Sequence, residues 1–98
     1  MKKIFICSPY RGDVEENIKK AKQHAELVAV LGKLPIAPHL YFTQFLDDNN
    51  EKERQIGINL GIELLKMCDL MYVYGEPTDG MKQEIKVAEE LGIEIIKM

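Results

Sequence analysis

Cysteine and histidine are scarce in this sequence of 98 residues. Cys7 and Cys68 stand alone, with no Cys-x-x-Cys pair, and the only two histidines, His24 and His39, are too far apart for a zinc motif. We therefore expect no metal and no cofactor. Both thiols are interpreted as small buried side chains of a protein from a reducing compartment, so the expected location is cytoplasmic.

Long apolar runs and an excess of positive charge are also missing. No stretch reaches the ~18 apolar residues that a membrane span requires, and the apolar run 4–7 is too short for a signal peptide. The formal net charge is −3, without any basic run, which argues against binding of a nucleic-acid polymer. We expect no contact with a membrane or a nucleic-acid polymer, but a small nucleotide remains possible as a ligand.

Short apolar runs alternate with helical periodicities along the whole chain, which predicts a single domain over residues 1–98. Strands are expected at 4–7, 34–38, 69–74 and 93–96, and helices at 13–31, at about 52–67 and over the stretch that ends at Leu91-Gly92. Residues 39–50 are expected to form a loop. This β-α-β-α-β-α-β order predicts a three-layer α/β/α fold with a four-stranded parallel sheet, order 2-1-3-4, of the flavodoxin-like type.

The helix predicted over 52–67 carries more apolar surface than a sheet-facing helix needs. We expect its second apolar stripe to meet another subunit, which predicts a homo-oligomer, either a dimer or a tetramer. Gly57 and Gly61 allow close backbone approach on a third side, for packing or for a ligand. The two stripes consist of Ile56, Leu60, Leu64 and Met67, and of Ile58, Ile62 and Leu65.

Two loops and a histidine are expected to meet where the winding direction of the sheet switches, between the first and third strands. The loops 8–13 and 75–80 both lead into helix N-termini, where free N–H groups and the helix dipole favour an anion. Gly12 and Gly80 let the backbone come close, and Arg11 could pair with a phosphate or a carboxylate. His39 follows the second strand beside them. An ordinary strand-to-helix turn and a solvated arginine are the alternatives.

Glu84 is the one charged residue within the apolar arc of the last helix, which also contains Met81, Ile85 and Ala88. The helix dipole is expected to hold this carboxylate ionised. An ionised carboxylate in a cleft can act as a nucleophile on a sugar carbon. A capping role or fraying at the helix start would also explain its place.

Tyr10 could orient the Glu84 carboxylate, and His39 could bind a ligand or donate a proton. The alternatives are that Tyr10 is a half-buried aromatic of the cleft edge and that His39 is a structural hydrogen-bonding residue.

Three motifs together resemble the nucleoside 2-deoxyribosyltransferase superfamily, and most closely its short, largely uncharacterised branch found in phage and bacterial genomes. The motifs are Ser8-Pro9-Tyr10-Arg11-Gly12, the stretch 68–73, and Asp79-Gly80-Met81-Lys82-Gln83-Glu84. The resemblance implies that Glu84 is the nucleophile that attacks C1′ of a nucleoside, that Tyr10 lies close to it, and that the protein is a homo-oligomer. The expected substrate-binding residues are Ser8, Pro9, Arg11, Gly12, His39, Asp79, Gly80 and Met81.

The sequence departs from the transferases of that superfamily in three respects. It is shorter, Thr78 stands where an acidic residue commonly precedes the glycine, and only Asp47 or Asp48 could take the place of the aspartate that contacts the base. From the resemblance and the place of Glu84 we predict an N-glycosidase or deoxyribosyltransferase acting on a small-molecule nucleoside or nucleotide. The alternatives are a non-catalytic nucleotide-binding or sequestering module, and a dimeric interaction protein with a vestigial site.

Overall fold

The predicted strands and helices occur in the predicted order, with one additional short helix after the second strand. A computed structural model describes all residues, 1–98. The strands are β1 (Lys3–Cys7), β2 (Leu34–Ile36), β3 (Leu70–Val73) and β4 (Glu94–Lys97). The helices are α1 (Val14–Val30), α2 (Pro38–Tyr41), α3 (Glu51–Leu65) and α4 (Asp79–Leu91), with a 3₁₀ turn at Phe42–Gln44 after α2.

The four strands form one parallel sheet in the order β2-β1-β3-β4, which confirms the predicted order 2-1-3-4. β1 is central, with Ile4 opposite Leu70 and Cys7 opposite Val73 in β3. Because the carboxyl ends of β1 and β3 are in register, the loops that follow them emerge side by side at one edge of the sheet.

The core has one layer on each face of the sheet. Cys7, Met71, Leu65 and Ala88 belong to the cluster that packs under α3 and α4. Ile4, Ile6 and Val28 form a smaller cluster beneath α1 on the other face. β1 is buried on both faces, as a central parallel strand requires, so it is a firm base for residues at its carboxyl end.

The helix starts follow from local capping. The Asp13 side chain accepts a hydrogen bond from the Glu16 N–H at 3.2 Å and so caps the helix that was predicted to start there. The N-cap of α4 is Thr78, with its hydroxyl accepting a hydrogen bond from the Met81 N–H at 3.3 Å. α4 therefore begins at Asp79, and Glu84 lies in its second turn.

The stretch predicted to be a loop over 39–50 contains α2 and the 3₁₀ turn. Pro38 occupies the first position of α2, where its fixed φ and its missing N–H are tolerated. Pro38 therefore begins α2 as well as preventing β2 from continuing. His39 consequently lies in α2 and not in a loop.

The interpretation of the two stripes on α3 was also wrong in part. Leu65 of the second stripe is completely buried in the core, whereas Ile56, Leu60 and Met67 of the first stripe are exposed. These three residues are thus the apolar surface left for a subunit contact, whereas Leu64 of the same stripe packs against the core. The oligomer itself stays a prediction. No helix of this structure has the length and apolar character needed to cross a membrane.

Candidate functional site

The loop after β1, the segment from α2 to α3 and the start of α4 enclose a cavity of about 270 Å³. This volume is just below the roughly 300–1,000 Å³ of ordinary small-molecule sites. Five of its 17 lining residues are hydrophobic, and the others bring charged and polar groups to a wall that also exposes apolar atoms, so the cavity suits a ligand with both polar and apolar parts. Seven of the ten site residues predicted from the sequence line it: Tyr10, Arg11, His39, Asp79, Gly80, Met81 and Glu84.

The other three predicted residues lie outside this cavity. Ser8 is buried, and its hydroxyl has no hydrogen-bond partner. Pro9 packs toward Gly75, where an added Cβ would stand 3.7 Å from the proline ring. Gly12 has a φ of +102°, a conformation that favours glycine, and it helps to turn the loop into α1. These residues shape the loop that carries Tyr10 and Arg11.

Glu84 lies in the wall of the cavity with only 9 % of its surface exposed. Its Oε1 accepts a hydrogen bond from the Cys7 S–H, with 3.4 Å between oxygen and sulfur. On the other side α3 comes close, because a Cβ added to Gly61 would be 3.8 Å from Oε2. A Cβ at Gly61 would thus stand in ordinary van der Waals contact with the carboxylate and, at 3.7 Å, with Pro38.

Burial raises the pKa of Glu84 from 4.5 to about 7, and the hydrogen bond from Cys7 opposes this rise only in part. The expectation that the helix dipole holds Glu84 ionised was therefore wrong, because desolvation of the charged form outweighs it. At neutral pH the side chain is divided between its protonated and ionised forms. A carboxyl group with such a pKa can exchange protons or act as a nucleophile near pH 7.

Cys7 is fully buried beneath Glu84. Burial, followed by the charge of Glu84, raises the pKa of its thiol far above the ordinary range. Cys7 therefore remains a neutral thiol, which makes it a donor to Glu84 and a poor nucleophile of its own.

Tyr10 and His39 form a stacked aromatic pair in the wall of the cavity, with ring centroids 5.2 Å apart and planes 27° apart. Burial lowers the pKa of His39, and the charge of Asp48 and a backbone hydrogen bond at Ser8 oppose this only in part. His39 is accordingly a neutral imidazole at neutral pH. The pair offers a flat face to a planar ring and hydrogen-bonding groups at its edge.

Arg11 is held by an aspartate of the segment before α3. Its Nε lies 2.7 Å from Asp48 Oδ2, and its Nη2 donates to the Asp48 carbonyl at 2.9 Å. The Asp48 hydrogen bond also raises the pKa of Arg11. Arg11 is therefore already paired, which weakens its expected role as a free anion-binding group.

Arg54 is a cavity residue that the sequence reasoning missed. Its Nε is 3.8 Å from Asp48 Oδ1, and its Nη2 would be 3.9 Å from a Cβ at Gly80. The signal was present in the sequence, because Arg54, Gly57 and Gly61 share one face of α3 at helical spacing. Asp48, one of the two aspartates considered for contact with the base, lines the cavity, whereas Asp47 does not. No cluster of three or more His, Cys, Asp or Glu could hold a metal ion.

Comparison with known proteins identifies a family and a fold. The family model described as a domain of unknown function, DUF7768, matches residues 2–98. No curated protein matches the chain.

Solved structures of two 2-deoxyribosyltransferases are similar to this one. The enzyme of the psychrotolerant bacterium Bacillus psychrosaccharolyticus superposes with a TM-score of 0.77 at 19% identity, over 97% of this chain and 70% of the enzyme. The enzyme of Leishmania mexicana superposes with a TM-score of 0.71 at 18% identity, over 100% of this chain and 64% of the enzyme. This chain thus shares the fold of those enzymes and covers about two thirds of their length.

Proposed function

The chain belongs to the DUF7768 family, a family of domains of unknown function, and we propose that it breaks the N-glycosidic bond of a nucleoside or nucleotide. In this proposal Glu84 is the nucleophile, and Tyr10 and His39 contact the ligand. Hydrolysis and transfer of the sugar to a second base share the same first step, so both belong to the proposal.

The observation that carries the proposal is a buried carboxyl group in the wall of a cavity, in a fold shared with 2-deoxyribosyltransferases. A charged side chain is costly to bury without a charged partner, and Glu84 has only the Cys7 thiol as a hydrogen-bond partner. A protein gains nothing in stability from such a group, which supports a role in binding or chemistry.

The proposed reaction begins with ionised Glu84. One carboxylate oxygen attacks C1′ of the sugar as the bond from C1′ to the base nitrogen breaks. The electron pair of that bond leaves with the base, which takes up a proton from solvent water, and the sugar remains joined to Glu84 through a C1′–O ester bond. Attack of water at C1′ breaks the ester bond to Glu84, restores the carboxylate, releases the sugar and returns one proton to the solvent. Attack of a second base nitrogen at C1′ gives transfer instead.

The remaining cavity residues suit the other parts of such a ligand. The stacked pair of Tyr10 and His39 offers a surface for a planar base. Arg54 is bound to Asp48 only at 3.8 Å, so its other donors are available to an anionic group such as a 5′-phosphate. For this reason both nucleosides and their 5′-phosphates belong in the test.

The test is an incubation of the protein with deoxynucleosides, ribonucleosides and their 5′-phosphates, with release of free base followed by chromatography. We expect release from at least one compound, and a loss of at least about a thousandfold for Glu84→Gln. Glu90→Gln, an exposed glutamate on the same helix, is the matched control and should keep the parent rate. Absence of release from every compound, or equal rates for Glu84→Gln and the parent, would remove the proposal.

A non-catalytic nucleotide-binding module is the second candidate. The pKa of about 7 for Glu84 favours it, because a carboxyl group that is half protonated at neutral pH can donate a hydrogen bond to a ligand. Calorimetry with the same compounds distinguishes the two functions. Binding that saturates at one site, weakens in Glu84→Gln and gives no free base would support the module.

A further inference from the structure

Glu84 and Cys7 form a buried pair that links α4 to the carboxyl end of β1. The residues are 77 positions apart in the sequence, and their side chains meet at 3.4 Å. The Cys7 sulfur also lies 3.9 Å from the Met81 carbonyl oxygen, a longer contact. Cys7 is fully buried, and it belongs to the strand that is enclosed on both faces of the sheet.

The two oxygens of the Glu84 carboxyl group have different surroundings. Oε1 receives the hydrogen bond from Cys7. Oε2 has no hydrogen-bond partner in the protein, yet the only side-chain oxygen that is both fully buried and unpaired is that of Ser8, so Oε2 keeps some exposure in the cavity that Glu84 lines. The carboxyl group is thus held at one oxygen and left open at the other.

We infer that Cys7 is a positioning residue for Glu84: its S–H holds Oε1, so that Oε2 is the oxygen presented to the ligand. The inference rests on the proposed function, since a nucleophile must be held in one orientation for its attack to be productive. Cys7 acts through Glu84 and does not itself touch the ligand.

The thiol is suited to this task because it cannot lose its proton under ordinary conditions. Burial and the nearby carboxylate raise the pKa of Cys7, so the S–H remains a donor over the whole range in which Glu84 titrates. A glutamate side chain has three rotatable bonds, and fixing one oxygen to a rigid strand removes most of that freedom.

The hydrogen bond from Cys7 also favours the ionised form of Glu84, against the effect of burial. Other charged or titratable groups share the cavity, but no hydrogen bond joins any of them to Glu84. Removal of the thiol should therefore raise the pKa of Glu84 while leaving these groups in place. They are Tyr10 and Arg11 of the first loop, His39 of α2, Asp48 before α3, Glu53 and Arg54 of α3, and Asp79 of α4.

The first experiment follows the titration of the Glu84 carboxyl carbon by ¹³C NMR in the ligand-free protein, with the signal assigned from Glu84→Gln. We expect Cys7→Ala to raise the midpoint by about half a pH unit to one unit, the range that one lost hydrogen bond implies. Cys7→Ser keeps a donor and should return the midpoint toward the parent value.

Cys68→Ala is the matched control. Cys68 is a second buried thiol of the same core cluster, but it bonds to the Leu64 carbonyl at 3.3 Å and does not contact Glu84. Its loss should leave the titration of Glu84 unchanged. Equal midpoints for Cys7→Ala and Cys68→Ala would overturn the inference, because the Cys7 contact would then have no effect on the carboxyl group.

A second measurement requires no variant and covers the case in which Cys7→Ala does not fold. The infrared S–H stretching band of Cys7 should move to lower frequency as Glu84 ionises, whereas the band of Cys68 should stay fixed. A Cys7 band whose frequency does not change as Glu84 ionises would overturn the inference as well.

The activity assay separates this inference from the function on which it rests. If base is released, the acidic limb of the pH profile should move upward in Cys7→Ala by the same amount as the NMR midpoint, and Cys7→Ser should restore it. An acidic limb at the same pH in Cys7→Ala as in the parent would overturn the positioning role. An NMR shift in a protein that releases no base would remove the proposed reaction and still support the orientation of Glu84 by Cys7.

Discussion

Replacement of Glu84 by glutamine should stabilise the protein, and the gain should depend on pH. Glutamine has nearly the same shape and carries no charge, so it keeps the packing against Cys7 and Gly61 and removes the titration. In the parent, burial raises the pKa of Glu84 above its unfolded value of 4.5 to about 7. The native state therefore holds a proton that the unfolded chain releases as the pH rises through this interval.

The size of the effect follows from the same two values. The difference is 2.5 units (7 minus 4.5), and each unit corresponds to roughly 1.4 kcal/mol, so ionisation of the buried group costs about 3 kcal/mol. This contribution to stability is complete below pH 4.5, falls as the pH rises and is lost above pH 7. The free energy of unfolding of a small domain is only about 5–15 kcal/mol, so this cost is a large fraction of it.

The measurement is urea denaturation of the parent and Glu84→Gln at several pH values between 4.5 and 8.5. The advantage of the variant in free energy of unfolding should grow by about 3 kcal/mol over this range, on the order of 10 °C in Tm. Glu90→Gln, on the exposed face of the same helix, corrects for the loss of one negative charge. Parallel curves for Glu84→Gln and the parent would refute the reasoning, since Glu84 would then titrate alike in the folded and unfolded chain.

Two further substitutions test the surroundings of Glu84. Gly61→Ala places a Cβ 3.8 Å from Glu84 Oε2 without a clash. It should stabilise α3 by roughly 0.5–1 kcal/mol, because alanine favours a helix more than glycine does. It should also slow base release on the order of tenfold, because the added methyl group crowds that oxygen. Gly57→Ala gains the same helix propensity away from the carboxylate, and an equal loss of activity there would contradict the explanation. Thr78→Ala removes the cap on the Met81 N–H and should lower the free energy of unfolding, measured by urea denaturation, by about 1 kcal/mol. Thr78→Ser keeps the hydroxyl and should lower it little. An equal decrease in both variants would exclude the cap as the cause.

The fold could be predicted because its signals are local along the chain. Each strand is a short apolar run, and each helix shows its own periodicity and its own cap or terminal glycine. The alternation of strands and helices then leaves few parallel arrangements to choose from. The missed helix α2 begins where two local signals conflicted, at Pro38, since a proline can end a strand or begin a helix.

The sequence also identified Glu84 and its neighbourhood at one edge of the sheet, because a charge within an apolar arc is visible on a helical wheel. It did not reveal the partners of the site residues. Arg11 meets Asp48 across 37 positions, and which stripe of α3 is covered depends on how that helix packs against the sheet.

The sequence by itself thus determined the element types, the sheet order and the one acidic side chain turned toward the core, since periodicity and capping act between neighbouring residues. Only the tertiary structure decided that Glu84 meets a buried thiol and an uncovered glycine, and that its pKa rises. Those properties depend on desolvation and on contacts between elements, and both arise only when β1, α3 and α4 are packed together.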